Sequence, residues 1–238
     1  MGREAGKSIV SSIAEIREAV DFCRYYAAQA EANLNKELPG PNGEKNRLTY
    51  HPRGVFACIS PWNFPVAIFS GQIVAALVTG NTAIAKPAEQ TSLTAHRVVD
   101  LMHEAGIPHD VIQILCGEGE KIGTSLTSDE RIDGVVFTGS VATGKTINQV
   151  LANRPGPIVP FIAETGGQNT MIVDSSALPE QVVKDVLVSA FDSTGQRCSA
   201  LRVLYLQDSC ADNIIELLTG AMQELRVGDP LDLSVDIG

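Results

Sequence analysis

Positive charge is scarce in this chain: 18 Lys and Arg stand against 28 Asp and Glu, a net charge of -10 over 238 residues. A surface that neutralises nucleic-acid phosphates needs clustered cations, and none cluster here, which excludes electrostatic nucleic-acid binding as the role of this segment. Cysteine is sparse too. The thiols Cys23, Cys58, Cys116, Cys198 and Cys210 are odd in number, widely spaced and without a CxxC pair, so neither a disulfide framework nor a thiolate metal site is indicated. A reducing, cytoplasmic setting is the expectation. His51, His96, His103 and His109 lack metal-ligand spacing, and no metal is expected. The most apolar stretch, Val66 to Val78, is interrupted by Ser70, Gly71 and Gln72 and is too short to span a bilayer. No signal-peptide pattern is present.

What the chain does contain is enough apolar residues, 44%, to bury a core of one large or two small α/β domains. Ile9, Ile13, Ile16, Val20, Cys23 and Ala27 recur at helical spacing, which predicts an amphipathic helix over 8–35 with that stripe inward. Leu38-Pro-Gly-Pro-Asn-Gly43 reads as a loop. From Val55 onward strand and helix signals alternate. Strands are expected at 55–59, 82–86, 111–115, 132–137, 159–163, 170–173 and 203–206. Helices are expected at 65–79, 92–105 with Thr91 as cap, 141–152, 179–191 and 208–225. Such alternation implies a Rossmann-type parallel sheet with helices on its faces, and ligands outside the carboxyl ends of its strands.

Three segments carry chemistry. Glu164-Thr-Gly-Gly-Gln-Asn169 and Gly195-Gln-Arg-Cys198-Ser199 pair a carboxylate with a thiol in a small polar loop beside a cation, the residue types of covalent catalysis with a general base. Gly139-Ser140-Val-Ala-Thr-Gly144-Lys145-Thr146 has two readings. It matches the GxxxxGK[ST] loop of nucleoside triphosphatases, with Met171-Ile-Val-Asp174 as a metal-binding strand, and it equally suits a dinucleotide pyrophosphate on a helix N-terminus. The surroundings favour the second, because triphosphate chemistry gives no task to Asn63, Glu164 and Cys198.

With Pro61-Trp62-Asn63-Phe64-Pro65, Lys86-Pro-Ala-Glu89-Gln-Thr91, Phe137-Thr-Gly139-Ser140, Glu164-Thr-Gly166-Gly167 and Gly195-Gln-Arg-Cys198 in order, the chain resembles the aldehyde dehydrogenases over its whole length. Within them it is most similar to the glutamate γ-semialdehyde (1-pyrroline-5-carboxylate) dehydrogenases, including the dehydrogenase portion of the bifunctional proline-utilisation flavoenzymes. Ser60-Pro-Trp-Asn-Phe-Pro65, Ala163-Glu-Thr-Gly-Gly-Gln-Asn169 and Arg197-Cys-Ser-Ala-Leu-Arg202 carry the closer likeness.

The resemblance implies a thioester mechanism: Cys198 as nucleophile, Asn63 and the Cys198 backbone N–H as oxyanion donors, and Glu164 as base. It implies NAD held by Ser60, Pro61, Trp62, Lys86, Glu89, Gly139, Ser140, Gly144, Thr165 and Gly166, with Glu89 disfavouring a 2′-phosphate. Ser199, Arg197, Phe64 and Phe191 are expected at an aldehyde substrate, glutamate semialdehyde. Residues 1–163 are then the NAD-binding domain, with an oligomerisation strand near 47–57, and 164–238 the first part of a catalytic domain. A homo-oligomer without a membrane span is expected. So is a fragment, poorly active alone, because the family's second ribose-binding Glu and substrate-anchoring loop lie beyond the segments matched.

Overall fold

A computed structural model describes residues 1–238. The chain divides into two compact units, one of residues Glu15–Glu164 and one of Met1–Ala14 together with Thr165–Gly238. Two helices open the chain, α1 (Gly2–Ala5) and α2 (Ile9–Asn33).

Residues Glu15–Glu164 are built on a five-stranded sheet of β3 (Val55–Ile59), β4 (Thr82–Lys86), β5 (Ile112–Ile114), β6 (Ile132–Gly139) and β7 (Phe161–Thr165), in the order β5-β4-β3-β6-β7. β3 runs parallel to both β4 and β6, and β4 parallel to β5. The middle strand, Val-Phe-Ala-Cys-Ile, is small and apolar because helices cover both faces. Cys58 points into a core with Phe69, Ile73, Ala85 and Val99, while its neighbour Ala57 points into another with Leu126, Val135, Phe137 and Ile147. The covering helices are α3 (Ala67–Val78), α4 (Ser92–Glu104), α5 (Thr124–Ser128) and α6 (Val141–Asn153).

The strands lie within two residues of their expected positions, and three local expectations fail. The first concerns α2, whose apolar stripe is not its buried face: Ile13, Ile16 and Val20 stay 47%, 49% and 42% exposed, whereas Glu15 is 1% exposed. Glu15 turns inward because its Oε1 accepts from the amides of Val66 and Ala67, at 2.7 and 3.2 Å, which are unpaired donors at the start of α3. The second failure is a hairpin, β1 (Asn35–Leu38) against β2 (Asn46–Thr49), with every residue exposed and without the apolar alternation that marks a strand. The segment 47–57 thus divides between this hairpin and β3. The third is partial: Thr91 stands at the N-cap of α4 as expected, but its buried Oγ1 makes no capping bond and has no partner.

In the other unit β8 (Asn169–Val173) and β9 (Leu201–Leu206) form a parallel pair, covered by α7 (Pro179–Phe191) and α8 (Asp208–Gln223). Val173, Val182, Val186, Leu201 and Ile214 make its core. Register slips between Asn169 and Thr170, a bulge that sets Asn169 apart from the ladder that follows.

Candidate active site

Chain order in the large sheet reverses at β3: β4 and β5 are added on one side, β6 and β7 on the other. In open parallel sheets such a reversal leaves a crevice at the carboxyl ends of the two diverging strands, here after Ile59 and Gly139. The residues singled out for cofactor binding follow those ends. Ser60 through Phe64 leave β3, Lys86 ends β4 opposite Ile59, and Gly139 with Ser140 ends β6. The first two strand ends are tied, since the Ser60 amide donates to the Lys86 carbonyl at 3.1 Å.

Polar side chains are set into this region at the cost of burial. Lys86, 3% exposed, donates from Nζ to the Pro87 carbonyl at 2.8 Å; burial lowers its pKa, opposed by Glu89 and Cys116 nearby. Glu89 is exposed in a short 3-10 turn. The buried Ser60 Oγ has no hydrogen-bond partner, a hydroxyl set beside the crevice and free to receive one. Gln72, from α3, bridges the diverging strands: its Nε2 donates to the Ile59 carbonyl at 3.2 Å and to Thr138 Oγ1 at 3.0 Å. Gln72 and Thr138 had no assigned role in the sequence; the available signal was a Gln inside the most apolar stretch of the chain. At Gly139 a Cβ would stand 2.6 Å from the Phe137 ring, so a side chain there would have to displace that ring. Ser140 caps α6, its Oγ accepting from the Thr143 amide at 3.1 Å. These residues, at a helix N-terminus and a topological reversal, fit a dinucleotide.

The same geometry removes the triphosphatase reading. A phosphate-cradling loop needs several non-helical residues between its first glycine and its lysine. Here α6 begins at Val141, so Gly144, Lys145 and Thr146 are already helical, and Thr146 Oγ1 donates to the Ala142 carbonyl of its own helix. Asp174 Oδ1 accepts from Ser176, which holds its carboxyl below the usual range. Glu164 sits near the end of β7, exposed.

The cysteine segment has a different construction. Ser193, Thr194 and Gly195 adopt left-handed backbone in succession, at φ 55°, 61° and 65°. Two such non-glycine residues are strained, and strain of this kind persists where surroundings hold it. Ser193 N donates to Ser11 Oγ at 3.3 Å and Thr194 Oγ1 to the Gly6 carbonyl at 3.0 Å, so the first residues of the chain hold the kink. Next comes a turn in which the Ala200 amide donates to the Arg197 carbonyl at 3.1 Å. Cys198 and Ser199 occupy its exposed corner. Arg197 Nη2 donates to the Val188 and Ser189 carbonyls of α7, and so ties the turn to the helix that ends in Phe191. Thr165 and Gly166 are exposed on the approach to β8.

The chain matches the model of the aldehyde dehydrogenase family over residues 1–238. The bifunctional protein PutA of Klebsiella aerogenes is 55% identical across 99% of this chain, which covers 17% of that protein. The 1-pyrroline-5-carboxylate dehydrogenase of Anoxybacillus flavithermus is 40% identical across 99% of this chain, which covers 47% of it. The crystal structure of PnpE in complex with nicotinamide adenine dinucleotide superposes with a TM-score of 0.92 at 31% identity, over all of this chain and 48% of the other. The chain thus spans from about a sixth to half the length of these relatives.

Proposed function

The chain belongs to the aldehyde dehydrogenase family, and from that premise we propose that the protein carrying it oxidises L-glutamate γ-semialdehyde to L-glutamate with NAD, as a step of proline breakdown. The observation that carries the substrate is the 55% identity to a bifunctional PutA protein, together with the 40% identity to a 1-pyrroline-5-carboxylate dehydrogenase.

Cys198, as thiolate, adds to the aldehyde carbon; the Asn63 amide and the Cys198 N–H donate to the oxygen that gains charge. NAD, when bound, supplies the hydride acceptor. The carbon stays bonded to Sγ as a thioester. Glu164 takes a proton from the water that attacks it, and the carboxylic acid leaves as the thiol is restored. Lys86 and Glu89 would hold the cofactor's adenosine ribose, and Ser60, Pro61 and Trp62 would line the cofactor site beside them. Gly139, Ser140 and the first turn of α6 up to Gly144, which is helical rather than the loop expected, would hold its pyrophosphate, and Thr165 and Gly166 complete the set. A carboxylate at residue 89 accepts from ribose hydroxyls and repels a 2′-phosphate, which favours NAD over NADP. Ser199 donates to the substrate carboxylate, Phe64 and Phe191 flank its methylenes, and Arg197 flanks the turn that presents Ser199.

The test is cofactor reduction by the full natural polypeptide with glutamate semialdehyde, beside its Cys198→Ala variant. Activity that disappears in the variant is expected. Turnover that survives it would overturn the thioester reading, and activity confined to other aldehydes would leave the family and remove this substrate.

A further inference from the structure

Asn169 closes the Glu164-Thr-Gly-Gly-Gln-Asn169 motif, and neither the base chemistry nor the cofactor site uses it. Its side-chain Nδ2 donates to the Cys198 carbonyl at 2.6 Å and to the Ala200 carbonyl at 2.9 Å. An atom facing two carbonyls must be the amide nitrogen, which fixes the orientation of the Asn169 side chain. Both acceptors lie in the turn whose corner is Cys198, and the turn's own bond runs from the Ala200 amide to the Arg197 carbonyl. The peptide planes on the carboxyl side of Cys198 are therefore held by one side chain from the start of β8. Asn169 pairs with Leu201 at the start of the β8–β9 ladder, and the register slip follows directly after it, so its side chain stands beside the turn that leads into β9.

We propose that Asn169 is a positioning residue for the nucleophile: its two N–H bonds fix the Cys198 turn, and with it the direction of Sγ and of the Cys198 N–H. The inference rests on the function proposed above for its kinetic consequence, but not for its structural content. An acidic residue of the same shape separates donation from packing. Asn169→Asp keeps the volume and presents oxygens to two carbonyls, whereas Asn169→Ala removes the group.

The experiment compares both variants with wild type in the full natural polypeptide. Three quantities are measured: kcat with glutamate semialdehyde, the Kd for NAD, and hydrogen exchange of the Ala200 amide. In both variants kcat is expected to fall about 10- to 100-fold, the effect of a small misplacement of a reacting group. NAD affinity should change less than about twofold, and Ala200 exchange should quicken several-fold while exchange in the β3–β6 sheet holds. Wild-type kcat in Asn169→Asp would overturn the proposal, because packing alone would then suffice. Should the wild-type protein oxidise no aldehyde, the functional reading fails by itself. The inference then stands or falls on exchange, and an unchanged Ala200 rate in both variants would overturn it.

Discussion

The strand ends after β3, β4 and β6 and the turn that carries Cys198 achieve position in opposite ways. The first set hangs on a sheet buried on both faces, with Ala57, Cys58 and Ala85 wholly inaccessible. Geometry there is inherited from the ladder, and single polar residues such as Gln72 only tie strands already in register. The Cys198 turn belongs to no ladder. It is held by side chains reaching to carbonyls, from Asn169, Arg197, Arg202 and Thr194, around two strained residues. A stiff frame of the first kind suits a large ligand, whereas an exposed turn lets a thiol reach outward, which a buried strand cannot do.

Thiol chemistry sharpens this contrast most. Cys58 in the sheet is fully buried, and burial pushes its thiol up to about 12; Cys198 is exposed. At pH 8 iodoacetamide should modify Cys198 at least ~100-fold faster than Cys58, read by peptide mass spectrometry, since the thiolate is the reactive form. Equal rates would mean that the sheet opens as readily as the turn. The sign of the pH effect follows. The folded state keeps the Cys58 proton where the unfolded chain, with a thiol near 8.5, releases it, so this contribution to stability is intact below about pH 8.5 and declines as pH rises toward 12.

Glu15 tests whether the strand-end region owes everything to its ladder. Removing a buried carboxylate strands the Val66 and Ala67 amides just after the Asn63 loop. Glu15→Ala should cost about 3 kcal/mol in urea unfolding, and Glu15→Gln clearly less, because hydrogen bonds to a charged group are each worth roughly 1.5–3 kcal/mol. A loss below about 1 kcal/mol would show that the sheet alone sets this end. The counterpart on the other side is Gly195→Ala. Its φ of 65° and a Cβ only 2.9 Å from the Ala190 carbonyl predict a cost of about 1–2 kcal/mol. Aldehyde turnover should fall with it, since the strain lies directly before the Cys198 turn.

The legibility of the chain divides along the same line. Strands such as Val55–Ile59 and Thr82–Lys86, and helices such as Pro179–Phe191, are visible because apolar periodicity and flanking Pro or Gly report burial directly. The aldehyde dehydrogenase likeness was visible in five motif blocks. The inward turn of Glu15 was not, because its reason is a pair of free amides 51 residues away, and no periodicity encodes that. The pairing of 35–38 with 46–49 was hidden for the opposite reason: an exposed ribbon carries no apolar alternation. Left-handed Ser193 and Thr194 escape any reading by residue type, since neither is a residue that favours that conformation.

The smallest effect is expected where the sequence was most ambiguous. Lys145 and Thr146 complete a phosphate-loop pattern, yet both lie within α6, which starts at Val141 directly after the Ser140 cap. The backbone donors at this helix start are those of residues 141 to 144, and the Thr143 and Gly144 amides already serve Ser140. Lys145 lies past them, exposed on the helix surface. Lys145→Ala should therefore change stability by no more than about 0.5 kcal/mol, as is usual for surface positions, and leave NAD affinity within about twofold. Ser140→Ala should act differently, since it removes the cap and frees the Thr143 amide at the same time, at a cost of about 1 kcal/mol. If Lys145→Ala instead abolished nucleotide binding while Ser140→Ala did not, the phosphates would be read by the helix surface, and the crevice between β3 and β6 would lose its claim to the cofactor.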